Sequence, residues 1–260
     1  IIFYLIILFI YPLNELIIKF NILPNQTGDK HQTFSNKKLV PLSGGLFILI
    51  SILIIFRQNL YLCIFFVILF FLGIFSDRKY IISASKRFFL QLLLIVLFVL
   101  FFDLRIDDLR NLYLSNLLQN NILSYSFVIF CLLVLINGSN FIDGLNGLQL
   151  GYYIIVLIII ISNNFLPFYL INEYNSFFLL ALLIFLLLLN FNNKIFLGDS
   201  GSYLLSIFFG FLLIEIYNNN KSISPYFIAL LLWYPCFENL FSIIRKFNIN
   251  FSPIKPDNKH

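Results

Sequence analysis

The sequence predicts an all-α fold, a polytopic bundle of about nine transmembrane helices, on three observations. Of 260 residues, 60% are hydrophobic and only 11% charged, whereas a soluble domain carries about a quarter charged residues. The apolar residues fall in runs of roughly spanning length, about 20 residues with shorter ones tolerated where flanking side chains snorkel, along the whole chain. Lys and Arg are distributed unevenly, thirteen in alternate connections and the tail against four in the others. That bias is the one cytoplasmic loops show.

Each helix is set by an apolar run and the polar connection that ends it. The first, 1–20, continues from "IIFYLIILFI" through "YPLNELIIKF" with no small-residue cleavage site, so it is read as a spanning helix and not a signal peptide. "TGDKHQ" separates it from 40–57, and "RQN" separates that from 60–76. After "SDRKYIISASKR" comes 86–103, and after the acidic "DLRIDDLRN" comes 122–137. "NGSNFIDGLNG" leads to 148–162, "NEYNS" to 176–191, "NKIFLGDSGS" to 202–217 and "NNNKSIS" to 225–244. No soluble segment interrupts the series, so the expectation is a single integral-membrane domain over 1–260, truncated at both ends because the chain opens inside an apolar run without Met and stops after "PDNKH".

The basic connections and the chemically rich connections are the same ones, which puts the N-terminus outside and one polar face inside. The three cysteines, Cys63, Cys131 and Cys236, are unclustered within apolar runs, with neither metal spacing nor a disulfide framework. Three aspartates stand out instead. Asn137 and Asn140 are three apart, on one face at a helix end, and Asp143 follows where Gly144 lets the helix break. Asp199 in "FLGDSGSYLLS" is expected just before a helix, with Ser200 or Ser202 free to cap. Helix starts favour anions, and a carboxylate there can share a divalent cation with phosphate oxygens. Asp77 closes the third helix beside Arg78 and Lys79. Three aspartates on one membrane face, interleaved with Lys and Arg, suit a magnesium-bound diphosphate. Glu238, three residues after Pro235, is read as a bundle-facing polar residue and left out of the site.

The segments "GDKHQTFSNKKLVPLSGG", "GIFSDRKYIISASKRFFLQ", "NGSNFIDGLNGLQLG", "NNKIFLGDSGSYLLS" and "YPCFENLFSIIRK" with "SPIKPDNKH" resemble, in this order, the polyprenyl-phosphate N-acetylhexosamine-1-phosphate transferases. The resemblance implies a Mg2+-dependent enzyme, with Mn2+ as the alternative ion. Such an enzyme transfers a sugar 1-phosphate from a UDP-sugar to a polyprenyl (undecaprenyl) phosphate, releases UMP, and initiates a surface polysaccharide or cell-envelope glycan. It implies a multi-pass protein of the bacterial inner membrane with its site facing the cytoplasm, partnered by the bilayer and its two substrates and not by nucleic acid. A homodimer is left open.

By the same resemblance the catalytic set is Asp77, Asp143 and Asp199, with Asp199 the metal ligand and Asp77 near the lipid phosphate. Asn137, Asn140 and Asn146 belong to the nucleotide-sugar site, Lys30 and Lys194 stand near phosphates, and His260 is the first histidine of a motif near the tail. His31 also matches a family position. Two residues depart from the pattern: Ser76 stands where the family commonly has a first aspartate of a pair, and Asn146 where many members have an aspartate. These departures motivate a rival reading, an inactive homologue acting as a scaffold. A transporter of lipid-linked sugars is the other rival, and would need polar groups at mid-membrane or on both faces.

Overall fold

The computed structural model describes residues 2–20, 23, 40–81, 83–167, 169–220 and 222–248. Among them are ten helices and no strand: α1 (Ile2–Lys19), α2 (Gly44–Ile55), α3 (Leu60–Asp77), α4 (Ala84–Phe101), α5 (Leu112–Leu118), α6 (Asn121–Ile142), α7 (Leu148–Ser162), α8 (Glu173–Phe191), α9 (Gly198–Asn219) and α10 (Pro225–Asn248). Nine stand where the apolar runs place them, and the tenth, α5, corrects the count. It is seven residues long and is capped by Asn111, whose side chain accepts from the amides of Tyr113 and Leu114 at 3.1 and 3.2 Å. A helix that short carries no periodic signal to read.

Among the described residues six helices are long and apolar enough to cross a membrane: α3, α4, α6, α8, α9 and α10 as far as Arg245. Phe71 on α3, Phe89, Leu97 and Phe101 on α4, and Trp233 and Phe241 on α10 are exposed large apolar side chains, as expected of helices that face acyl chains. Two helix ends differ from expectation. α6 runs on to Ile142, so Asn137 and Asn140 lie inside it, and α9 begins at Gly198, so Asp199 is in its first turn and not ahead of it.

The chain forms two compact units, one of Ile1–Arg78 with Asp143–Leu205, the other of Lys79–Ile142 with Ser206–His260. In the first, α7 packs on α8, α2 on α3, and α1 and α2 also meet α8. Ile48, Ile52, Phe66, Leu69, Leu183 and Leu186 are fully buried there, and Phe56 stacks on Phe66 with ring centroids 5.9 Å apart. Asn14 of α1 is buried completely; its amide donates to the carbonyl of Lys194 at 3.0 Å and its oxygen accepts from the Ser43 hydroxyl at 2.6 Å. A buried amide in an apolar helix is stable only when both ends are paired. Here the pairing ties the connections before α2 and before α9 to α1.

In the second unit α6 packs against α4 and α10. Gly138 permits the approach to α10, since a Cβ there would lie 2.0 Å from the carbonyl oxygen of Pro235. Phe98 meets Phe211 edge-on at 5.6 Å. The acidic connection is tied down by Ser124, whose hydroxyl bonds both the amide and the carbonyl of Ile106 at 3.0 Å.

Candidate active site

The first unit holds all three aspartates. α9 starts with amides that have no partner within their own helix, and such amides attract negative charge. Asp77, the last residue of α3, supplies it: one carboxylate oxygen accepts from the Asp199 amide at 2.7 Å and the other from the Ser200 amide at 3.2 Å. The cap therefore comes from another helix, and not from Ser200 or Ser202 as the sequence suggests. Ser202 is engaged elsewhere, its hydroxyl accepting from the Gln149 amide at 2.9 Å.

Gly198 makes the arrangement possible in two ways. Its φ is +69°, in the left-handed region, and a Cβ on it would sit 2.8 Å from an Asp77 carboxylate oxygen. Gly73 of α3 meets the same turn, because a Cβ there would lie 2.3 Å from the Cα of Ser200. Gly73→Ala is thus expected to force the α3 and α9 backbones apart, a destabilisation of about 1–3 kcal/mol or more. A lowered melting temperature in detergent checks this, and an unchanged one would contradict the contact. Backbone bonds hold the approach to α9 from the other side, with the Gly44 amide donating to Phe196 O and the Phe196 amide to Pro41 O, each at 3.0 Å.

Asp199 itself is half-buried in the first turn of α9. One of its carboxylate oxygens, Oδ2, accepts from the hydroxyl of Ser76 and from the hydroxyl of Tyr203 at 3.3 Å. Asp143 follows directly on α6, and burial, then the negative charges of Asp199 and Asp77, push its carboxyl well above the ordinary carboxylate range. Three carboxylates thus share one region of the unit.

The consequence for stability has a definite sign. A carboxyl raised in the folded state keeps its proton after the unfolded chain has lost it, so its contribution is most favourable at low pH and falls as pH climbs from about 4 toward the raised value. In chelator-treated protein, Asp143→Asn is expected to raise the melting temperature at neutral and alkaline pH. The gain should vanish near pH 4. A loss of stability at pH 8 would mean that Asp143 is held by a favourable partner instead.

The remaining expected site residues divide. Asn146 donates to the Asn193 side chain at 2.7 Å, joining the connection before α7 to the one after α8. Lys194 places its ammonium 4.5 Å from the Tyr11 ring centroid and 3.1 Å from its hydroxyl. Asn137 and Asn140 belong to the second unit, with the Asn137 amide donating to Leu133 O at 2.8 Å within α6. Lys30, His31 and His260 lie outside the described residues. Asn14, Ser43 and Tyr203 were missed. Asn14 had a readable signal, a lone amide in an apolar run, which by itself argues for a bundle-facing partner.

Among the described residues no three of His, Cys, Asp and Glu form a preformed metal cage. Magnesium does not require one, since it is usually held by one or two carboxylates together with substrate phosphates. Asp199, half-buried in the first turn of α9 with one carboxylate oxygen held by two hydroxyls, fits that pattern.

A model of glycosyl transferase family 4 matches residues 59–217, more than half of the chain. A probable undecaprenyl-phosphate N-acetylglucosaminyl 1-phosphate transferase of Bacillus subtilis (strain 168) is 28% identical, with 86% of this chain aligned to 64% of that protein. An undecaprenyl-phosphate alpha-N-acetylglucosaminyl 1-phosphate transferase of Thermotoga maritima is 25% identical, covering 87% of this chain and 68% of its own length. The chain thus spans about two thirds of the length of these relatives.

Proposed function

We propose, from the premise that this chain belongs to glycosyl transferase family 4, that the protein transfers an N-acetylhexosamine 1-phosphate from a UDP-sugar to a polyprenyl phosphate, releasing UMP. The observation that carries the reading is the pairing of Asp77 with the first turn of α9, where Asp199 stands, in a protein whose helices are built for a bilayer. An acceptor with a long isoprenoid tail keeps its phosphate at the membrane interface, so a catalyst for it needs polar groups at helix ends and not at mid-membrane.

In the reaction an oxygen of the lipid phosphate attacks the β-phosphorus of the UDP-sugar, and the bond from that phosphorus to the bridging oxygen breaks with UMP as the leaving group. Positioning and charge stabilisation do most of this work. Asp199 would hold Mg2+, which when bound supplies neutralisation of charge on the phosphate oxygens. Asp77 aims Asp199 by capping α9. Asn146 offers an amide to the nucleotide-sugar, and Lys194 offers a cation to phosphate. The lipid phosphate has a second pKa near 6 and is already largely ionised at neutral pH, so no strong base is needed to activate it.

The thirteen-to-four bias of basic residues supports a plasma-membrane protein whose site faces the cytoplasm, where UDP-sugars are made. The product class is a lipid-linked sugar that initiates a surface polysaccharide or envelope glycan. The test uses purified full-length protein, polyprenyl phosphate, magnesium and a panel of radiolabelled UDP-N-acetylhexosamines. Formation of lipid-linked label with stoichiometric UMP is the expected result. Silence with every donor, from protein that is folded, would favour the scaffold reading.

A further inference from the structure

Two hydroxyls from different helices converge on one oxygen of Asp199. Ser76 stands one residue before the end of α3, and Tyr203 lies one turn along α9 from Asp199. Both side chains are buried, Ser76 at 6% exposure and Tyr203 at 1%, whereas Asp199 is half-buried. Packing therefore fixes the two donors, and the donors fix the carboxylate. A side chain held in one rotamer before the substrate arrives does not have to be ordered during the reaction.

The donors also suit their acceptor: a hydroxyl donates to a carboxylate oxygen, as Ser76 and Tyr203 do to Oδ2 of Asp199. An aspartate at position 76 would set a second acceptor against that oxygen, where the serine sets a donor.

We infer that Ser76 and Tyr203 are paired positioning residues that hold the Asp199 carboxylate in one orientation toward the diphosphate, so that the serine at position 76 is a working part of the site and not a lost acid. The inference rests on the reading of Asp199 as the group facing the diphosphate, and the variants below separate the two. Neither hydroxyl touches the reacting atoms.

The test compares full-length wild-type protein with Ser76→Ala, Ser76→Thr, Tyr203→Phe, the double variant Ser76→Ala/Tyr203→Phe, and Asp199→Asn. Transfer is measured across UDP-sugar and magnesium concentrations, Mn2+ binding in the presence of UDP is read by electron paramagnetic resonance, and melting temperature reports folding. Each single loss of a hydroxyl should lower kcat about tenfold with KM for the UDP-sugar within about threefold, and should weaken Mn2+ binding by at least about threefold. Ser76→Thr, which keeps the hydroxyl, should recover most of the loss, and the double variant should fall further than either single one. A structural role alone would lower the melting temperature without moving Mn2+ affinity or the split between kcat and KM. If Asp199→Asn is inactive while Ser76→Ala and Tyr203→Phe turn over and bind Mn2+ like wild type, this inference fails and the site reading stands. If Asp199→Asn also behaves as wild type, the site reading itself fails.

Discussion

Asp199→Asn in the full-length protein is expected to reduce sugar-1-phosphate transfer by at least about a thousandfold, roughly 4 kcal/mol of barrier, and to leave the protein folded. The amide has the shape of the carboxylate, and the backbone N–H of residue 199 would still donate to Asp77, so the start of α9 should persist. What disappears is the charge at the point where Ser76 and Tyr203 direct it. An asparagine oxygen can still accept a hydrogen bond but neither binds magnesium comparably nor balances charge on a diphosphate. The measurement is radiolabelled transfer over a magnesium titration, with melting temperature as the folding control. Turnover like that of wild type at any magnesium concentration would remove Asp199 from the reaction.

Asp77→Asn should cost at least about a hundredfold in transfer, about 2.7 kcal/mol, by a different route. The carboxylate offers two oxygens to two amides, those of Asp199 and Ser200. An asparagine offers one oxygen and turns an NH2 toward the second amide, setting donor against donor. A lost helix cap is worth about 0.5–2 kcal/mol, so the melting temperature should fall together with activity. This is opposite to the stabilisation expected of Asp143→Asn, although both changes remove one negative charge from the same region. The contrast distinguishes a carboxylate that is crowded from one that is paired. Should Asp77→Asn abolish transfer with no change in melting temperature, Asp77 acts on the substrate directly and not through α9.

The helices were legible because apolar periodicity and length are local properties. Nine of the ten sit where the runs place them, and the exception, α5, is too short to leave a pattern. The three aspartates were legible for a related reason: a carboxylate or a cluster of amides at the edge of an apolar run is costly unless it does something. Who pairs with whom was not legible. The family resemblance makes Asp77 a residue near the lipid phosphate and Ser76 a missing acid, and a lone amide at Asn14 names no partner. In the structure they cap α9, orient Asp199 and tie α1 to the connections before α2 and α9.

Composition and order along the chain by themselves determined that this is a helical membrane protein, since the apolar core of a bilayer accepts only long apolar segments and penalises charge within them. Tertiary structure alone decided the working geometry, because the bonds that make it join residues far apart in the chain. Asn14 is 180 positions from Lys194, and Asp77 is 122 from the amide of Asp199. No local propensity selects such partners. They are chosen when α2 and α3 come close enough, at Gly45 and Gly73, to touch the backbone of the first turn of α9, and the unpaired amides of that turn then take the nearest carboxylate.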